Sequence, residues 1–268
     1  MRALLICVVL LPSPAIAESP WKPLEPGLDF AELEGPKNPI GDGRIRVLRV
    51  DPRMLDVELS SAAFSKGAKA QSAKAWCAET GCIAAINASM FLDDNKTSVG
   101  LMKTRAHVNH ARRSKDNAIL ALDPDDRAQP PARLIDPSCD DAPAVEKRYG
   151  TLVQSIRMIS CDRKNRWAPS EKKWSTTAIG VDGAGRLLFI HARSPWPVHA
   201  LADALIAVPI DLRGAMYTEG GPEAQLYVRA KNFEREFVGS YETGFVENDD
   251  NHEGWAIPNV IAVFRRRH

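Results

Sequence analysis

The chain has 268 residues, of which 44% are hydrophobic and 26% are charged. Its 35 Lys and Arg residues almost balance its 34 Asp and Glu residues, and the formal net charge at pH 7 is +1. This balance gives no support for a nucleic-acid partner or for an acidic disordered tail, and the length is sufficient for one large domain.

Residues 1–17 are typical of a secretory signal peptide. Arg2 provides the charged start, residues 3–11 form the apolar run, and Ala15-Ile16-Ala17 is a small-residue cleavage site. The apolar run is too short to span a bilayer as a helix. We therefore expect an exported protein, periplasmic or secreted, with no membrane insertion after the signal is removed.

Four cysteines follow this segment: Cys77, Cys82, Cys139 and Cys161. An even number in an exported chain favours disulfides. Of the three possible connectivities we favour Cys77–Cys82, which closes across a turn, together with Cys139–Cys161. A zinc site is the weaker alternative, because neither pair has the two-residue spacing of zinc ligands and no His follows at ligand distance.

The first part of the exported chain, residues 18–43, is rich in Pro, Gly and Glu and shows no periodicity. It is expected to be an extended lead-in to a domain that spans residues 44–268. Residues 44–51 and 55–60 alternate between apolar and polar positions and predict a pair of strands joined by a short turn.

The remaining pattern predicts many short strands and two helices. Strands are expected at 83–86, 99–103, 118–122, 152–159, 176–182 and 186–192, and helices at 68–77 and 198–207. This mixture favours an α+β fold: a mixed, largely antiparallel sheet with helices packed on it, in a single domain.

The most informative segment is Glu219-Gly220-Gly221-Pro222-Glu223, which lies between two apolar runs. Glycines reach positive φ and allow a ligand to approach the backbone closely. Two carboxylates that bracket a rigid turn suit acid–base chemistry on a ligand held against backbone amides. The alternative is an ordinary tight turn with two solvated glutamates.

Four segments in order resemble the phosphodiester glycosidase family, in particular a bacterial branch with Arg193-Ser194-Pro195 before a helix. These segments are AINASMF at 85–91, the hairpin at 177–189, EGGP at 219–222 and IPNVIAV at 257–263. The resemblance covers roughly residues 40–265. Glu219 stands where the family usually has Asp, and Ser175 and Thr176 stand where an Arg is common.

This resemblance implies hydrolysis of the glycosidic bond to phosphate in a sugar phosphodiester, without an organic cofactor. The partner is then a carbohydrate or sugar-phosphate substrate. Such cleavage needs charge stabilisation at the anomeric carbon and proton transfer at the attacking water. Glu219 is the first candidate for the catalytic carboxylate and Glu223 is the second. Because phosphate is a good leaving group, a single carboxylate is sufficient.

Other residues are candidates for substrate contacts. The Asn87 amide suits a sugar hydroxyl or a phosphate oxygen, and Lys103 suits an anion. Arg193 and His199 flank the start of the 198–207 helix, where backbone N–H groups favour phosphate. His199 is also a candidate proton donor. Each has a plain alternative as a turn, surface or helix-start residue.

The rival function is a non-catalytic glycan- or cell-wall-binding domain on the same scaffold, which the two departures from the family pattern favour. If the protein is an enzyme, Asn87, Arg193, His199 and Glu219 should line one concave pocket. A flat surface with exposed tryptophans would favour the binding domain. No metal site is expected, because no Asp or Cys completes a set with His107 and His110.

Overall fold

A computed structural model describes residues 19–64, 67 and 69–266. The segment interpreted as a signal peptide, residues 1–17, lies outside this part. The strands in chain order are β1 (Lys22–Glu25), β2 (Leu28–Glu34), β3 (Arg44–Val50), β4 (Leu55–Ser61), β5 (Ala84–Asn87), β6 (Met102–Lys103), β7 (Val108–His110), β8 (Ala118–Pro124), β9 (Ala132–Ile135), β10 (Tyr149–Ser155), β11 (Arg157–Ile159), β12 (Trp174–Asp182), β13 (Leu187–Trp196), β14 (Leu212–Gly220), β15 (Gln225–Ala230), β16 (Phe233–Val238) and β17 (Asn259–Arg265). The helices are α1 (Ala73–Thr80), α2 (Ala142–Glu146) and α3 (Val198–Ala207), with a 3-10 turn at Gly221–Glu223.

The strands form three antiparallel sheets. The largest has the order β1-β2-β3-β13-β12-β14-β11, the second β7-β6-β10-β8-β9, and the third β16-β15-β5-β17-β4. Few helices accompany these sheets, so the predicted α+β class with largely antiparallel strands is confirmed. The strands are divided among three sheets, where the sequence suggested one.

The main hydrophobic core lies where the three sheets meet. Fully buried side chains come from the first sheet (Phe189), the second (Leu120) and the third (Ile86). A second cluster covers the opposite face of the seven-stranded sheet, where Leu201 and Leu205 of α3 pack. Each such side chain contributes roughly 1.5–3 kcal/mol on burial. The central strands β12 and β13 are therefore buried on both faces.

The helix ends follow local capping. The Ser72 side chain accepts a hydrogen bond from the Ala75 N–H, and Gly81 ends α1 with φ 81°. The prediction of 68–77 therefore began too early, because the cap at Ser72 sets the start. Helix α3 has the predicted bounds, and the chain is extended at Val208 before Pro209.

Two strand predictions need correction. The expected pair β3–β4 is wrong: β3 lies between β2 and β13, while β4 pairs with β17 in another sheet. Because both edges of β3 are occupied, it has no free edge for β4. The single strand expected at 152–159 divides into β10 and β11, which belong to different sheets. The expected lead-in contributes β1 and β2 to the seven-stranded sheet.

Both favoured cysteine pairings are present. The Cα atoms of Cys77 and Cys82 are 4.5 Å apart, and this disulfide ties the end of α1 to the segment that enters β5. The Cα atoms of Cys139 and Cys161 are 6.5 Å apart. Among the described residues, no helix is both long and apolar enough to cross a membrane.

Candidate active site

The turn between β14 and β15 is built on two glycines with different roles. Gly221 has φ +62°, as the sequence suggested. Gly220 has φ −134°, so the expectation of a left-handed conformation is wrong there. Its lack of a side chain serves close packing, because a β-carbon would lie 2.5 Å from Trp174 Cδ1 and would collide with Tyr217 Oη. A β-carbon on Gly221 would collide with Glu242 Oε2.

This turn borders a cleft with a volume of about 730 Å³. Its lining is aromatic and acidic. The residues are Met90, Phe91, Leu92, Asp93, Asn95, Trp174, Tyr217, Glu219, Gly220, Glu223, Glu242, Trp255 and Ala256. This set of described residues contains four carboxylates and no Lys, Arg or His. Among the described residues, no basic side chain therefore lines the cleft, and Lys172 acts on Glu242 from outside this lining.

Glu219 is the most perturbed carboxyl group in the cleft. Burial raises its pKa to about 8, and the nearby charges of Glu223 and Glu242 act in the same direction. The Gly220 N–H donates to Glu219 Oε1 at 3.1 Å and opposes the shift. Glu219 is therefore mostly protonated at neutral pH, while the residue keeps partial contact with solvent in the cleft.

Glu223 and Glu242 also have raised pKa values. Burial raises the pKa of Glu223, and the charge of Glu242 raises it further. Burial also raises the pKa of Glu242, against the opposing effect of Lys172. Three carboxyl groups with unequal surroundings thus share one cleft, which allows one to hold a proton while another is ionised.

Glu242 was not predicted from the sequence. It lies in the irregular segment after β16, where its N–H donates to the Val246 carbonyl and its backbone pairs with Trp174. Nothing periodic marks this segment. Only the contact with Gly221 in space brings the Glu242 carboxyl group to the turn.

Asn87 lies directly beneath the turn and is 1% exposed. Its Nδ2 donates to the Glu223 carbonyl at 2.9 Å, and its Oδ1 accepts from the Gln225 N–H at 2.7 Å and from Thr177 Oγ1 at 3.2 Å. These bonds fix the turn onto the end of β5. Asn87 is placed to hold the carboxylates in position, and it is not among the residues that line the cleft.

Arg193, His199 and Lys103 also do not line the cleft. Residues 193–196 belong to β13, so the expected loop before α3 is a strand. The Arg193 guanidinium donates to the carbonyls of Val238, Asp249 and Asn251. It thereby anchors the segment that carries Glu242.

His199 and Lys103 occupy other elements. His199 is on α3, with its Nδ1 3.3 Å from Asp203 Oδ2. Lys103 lies in β6 of the second sheet. The expected meeting of Asn87 with the 218–223 turn is therefore present, but the segment around 193–199 stays outside the cleft. No His, Cys, Asp or Glu cluster in the described chain is arranged to hold a metal ion.

Comparisons with known proteins agree with this architecture. A model of the phosphodiester glycosidase family matches residues 80–264. The catalytic domain of zebrafish N-acetylglucosamine-1-phosphodiester alpha-N-acetylglucosaminidase, auto-inhibited by its pro-peptide, has a TM-score of 0.63 and 13% identity, and the match covers 90% of this chain and 85% of that one. A hypothetical protein from Synechocystis has a TM-score of 0.58 and 11% identity, over 93% of this chain and 64% of that one.

At these identities the structural likeness shows the fold alone. No curated protein matches the chain in a sequence comparison. The family model covers well over half of the chain, from α1 to β17. The chain therefore belongs to the phosphodiester glycosidase family.

Proposed function

We propose that the protein is an exported hydrolase that cleaves the glycosidic bond to phosphate in a sugar phosphodiester. The observation that carries the proposal is the Glu219 carboxyl group, which borders the cleft with its pKa raised to about 8. A strongly perturbed carboxyl group in a cleft is a candidate for proton transfer. Membership of the family supports the reaction class.

The charge of the cleft assigns the roles. Cleavage between the anomeric carbon and the phosphate oxygen converts a phosphodiester monoanion into a phosphomonoester with a second negative charge. No basic residue among the described lining residues can neutralise that charge. We assign this task to the proton of Glu219, which passes to a phosphate oxygen as the carbon–oxygen bond breaks.

The second proton transfer concerns the water. Its oxygen forms the new bond to the anomeric carbon, and its proton passes to Glu223, whose pKa is less perturbed than that of Glu219. The products are the free sugar and a phosphomonoester, and exchange with solvent returns both carboxyl groups to their starting states. Glu242 raises the pKa of both groups.

Export is proposed from the first 17 residues together with the two disulfides. Disulfides form and persist mainly in oxidising compartments. The two cysteine pairs in the described chain support a periplasmic or secreted location.

The test is turnover of a panel of sugar phosphodiesters by the purified protein, with release of free sugar and phosphomonoester as the readout. Glu219→Gln should lower turnover by about 100-fold or more. Glu253→Gln is the matched control, because Glu253 is exposed and lies outside the cleft lining. Turnover at the wild-type rate in Glu219→Gln would reject the assigned role of Glu219.

A non-catalytic glycan-binding domain remains the second candidate, favoured by one observation. Trp255 and Phe245 are 38% and 61% exposed and pack edge to face beside the cleft, with ring centroids 6.1 Å apart. Exposed aromatic rings suit stacking on sugars. Sugar binding without turnover of any phosphodiester would support this function instead.

A further inference from the structure

Tyr217 lines the cleft and has no part in the proton transfers above. Its side chain is held rigidly. The ring lies 5.1 Å from Trp167 and 6.5 Å from Trp174, measured between ring centroids, and the residue is 4% exposed. Gly220 below it has no side chain, which leaves room for the hydroxyl group against the backbone next to Glu219.

Trp174 brings a second donor to the same place. A β-carbon on Gly220 would lie 2.8 Å from Trp174 Nε1 and would collide with Tyr217 Oη, so these two polar atoms adjoin one point of the turn. The indole N–H is buried, and within the described part of the chain it makes no hydrogen bond of normal geometry. It acts to lower the pKa of the Tyr217 hydroxyl group, the direction expected of a donor near the phenolic oxygen. A buried donor without a partner is uncommon in folded proteins and calls for a reason.

We propose that the Tyr217 hydroxyl group donates a hydrogen bond to a phosphoryl oxygen of the substrate, and that Trp174 is the positioning residue that orients it. An indole N–H can only donate. Its hydrogen carries a partial positive charge beside the Tyr217 oxygen, so the phenolic proton is repelled and points away from Trp174. Because Tyr217 lines the cleft, the cleft is the direction left open to this proton. The identity of the acceptor as a phosphoryl oxygen rests on the proposed function.

The surroundings keep Tyr217 a donor. Burial raises the pKa of its hydroxyl group well above 10, and the charges of Glu219 and Glu242 raise it further. The group therefore stays protonated at any working pH. None of the described lining residues is positively charged, but a neutral hydroxyl donor can still bind an anion by a hydrogen bond. The carboxylates of the cleft can only accept once ionised, so they suit sugar hydroxyls instead.

Dimethyl phosphate and methyl glucoside are suitable probes, because the first has the phosphodiester without a sugar and the second has a sugar without phosphate. Binding is measured by NMR titration of the unlabelled probe. Tyr217→Phe should weaken dimethyl phosphate binding about tenfold or more, the range for a hydrogen bond to a charged group, and leave methyl glucoside binding unchanged. Trp174→Phe should weaken dimethyl phosphate binding by a smaller factor than Tyr217→Phe does.

Tyr149→Phe and Trp196→Phe are matched controls. Tyr149 and Trp196 make the same types of donor bond, to the carbonyls of Pro130 and Pro36, away from the cleft. Both should bind dimethyl phosphate as the wild type does, and thermal unfolding checks that all variants are folded.

Three results would overturn the inference: no dimethyl phosphate binding by the wild type, unchanged binding by folded Tyr217→Phe, or a loss confined to methyl glucoside. Failure of the proposed function looks different. If no sugar phosphodiester is hydrolysed but dimethyl phosphate binding depends on Tyr217, the binding role stands and the hydrolase does not. If hydrolysis occurs and Tyr217→Phe alters kcat alone, the hydrolase stands and the binding role does not.

Discussion

Asp136 and Glu219 are both carboxyl groups surrounded by protein, but their chemistry is opposite. Burial by itself would raise the pKa of Asp136, yet the N–H groups of Ser138 and Cys161 and the guanidinium of Arg157 outweigh it and lower the pKa. Around Glu219 a single N–H, from Gly220, opposes burial and two further carboxylates. Its pKa rises to about 8.

The difference shows what distinguishes a structural carboxylate from a candidate catalytic one in this fold. Asp136 is 4% exposed and has its charge fully paired, so it stabilises the connection that carries the Cys139–Cys161 disulfide. Glu219 has no cationic partner among the described residues and faces a cleft. Burial without pairing leaves a proton that can be transferred near neutral pH.

The largest expected effect is on turnover. Glu219→Gln keeps the shape and removes the transferable proton, and we expect turnover of a cleaved sugar phosphodiester to fall by about 100-fold or more. Glu223→Gln should cost less, because Glu242 remains as a second acceptor in the cleft. Asp136→Asn should leave turnover per folded molecule nearly unchanged. Steady-state kinetics on the three variants measures this. Equal losses of turnover in Glu219→Gln and Asp136→Asn would contradict the distinction between a catalytic and a structural carboxylate.

The second effect is on stability and runs the other way. Asp136→Asn leaves the mostly buried Arg157 without its carboxylate partner and should lower the free energy of unfolding by about 2–3 kcal/mol. Glu219→Gln should not lower it. Urea denaturation with a shared slope gives both values. A loss of stability in Glu219→Gln as large as that in Asp136→Asn would contradict the account.

A third effect sharpens the comparison within the cleft. Because Glu219 donates its proton, turnover should decline as pH rises through about 8. The charge of Glu242 helps to raise that pKa, so Glu242→Gln should move the declining limb to lower pH. Glu253→Gln, on the exposed surface, should leave the limb in place. A pH–rate profile of each variant measures this. If the declining limb of Glu242→Gln lies at the wild-type pH, the charge of Glu242 does not raise the pKa of Glu219.

The last effect is the pH dependence of stability. In the unfolded chain Glu219 ionises near 4.5, whereas in the folded protein it keeps its proton up to about 8. Its contribution to stability is therefore fully present below pH 4.5 and is lost as pH rises to 8. Glu219→Gln cannot ionise, so its Tm should exceed that of the wild type at pH 8 and match it near pH 4.5. A difference that shrinks as pH rises would have the wrong sign.

The features that could be predicted from the sequence are those determined by residues close together in the chain. The bounds of α3 follow from its apolar spacing and from Pro209. The rigid turn at 219–223 follows from its two glycines and Pro222, and the buried strand that ends at Asn87 follows from a short apolar run. The reason for one of these residues was wrong: Gly220 is required for close packing against Tyr217 and Trp174, and not for a positive φ.

Contacts between distant segments account for the rest. Arg193 has the chemistry of a phosphate ligand, but three carbonyls of the segment 238–251 occupy its guanidinium. Glu242 lies in that same segment and reaches the cleft only because the segment folds back over Gly221. Neither fact has a sequence signal, since spacing along the chain does not record which backbone comes near a side chain. The division of strands among three sheets was missed for the same reason.

The most direct test of the central claim is the pKa of Glu219 itself. A protein labelled with carbon-13 at the glutamate carboxyl groups is titrated by NMR, and the Glu219 signal is assigned by its absence in Glu219→Gln. This signal is expected to titrate near pH 8, well above the usual glutamate range. A midpoint near 4.5 for Glu219 would contradict it, because the cleft would then hold no proton to transfer at neutral pH.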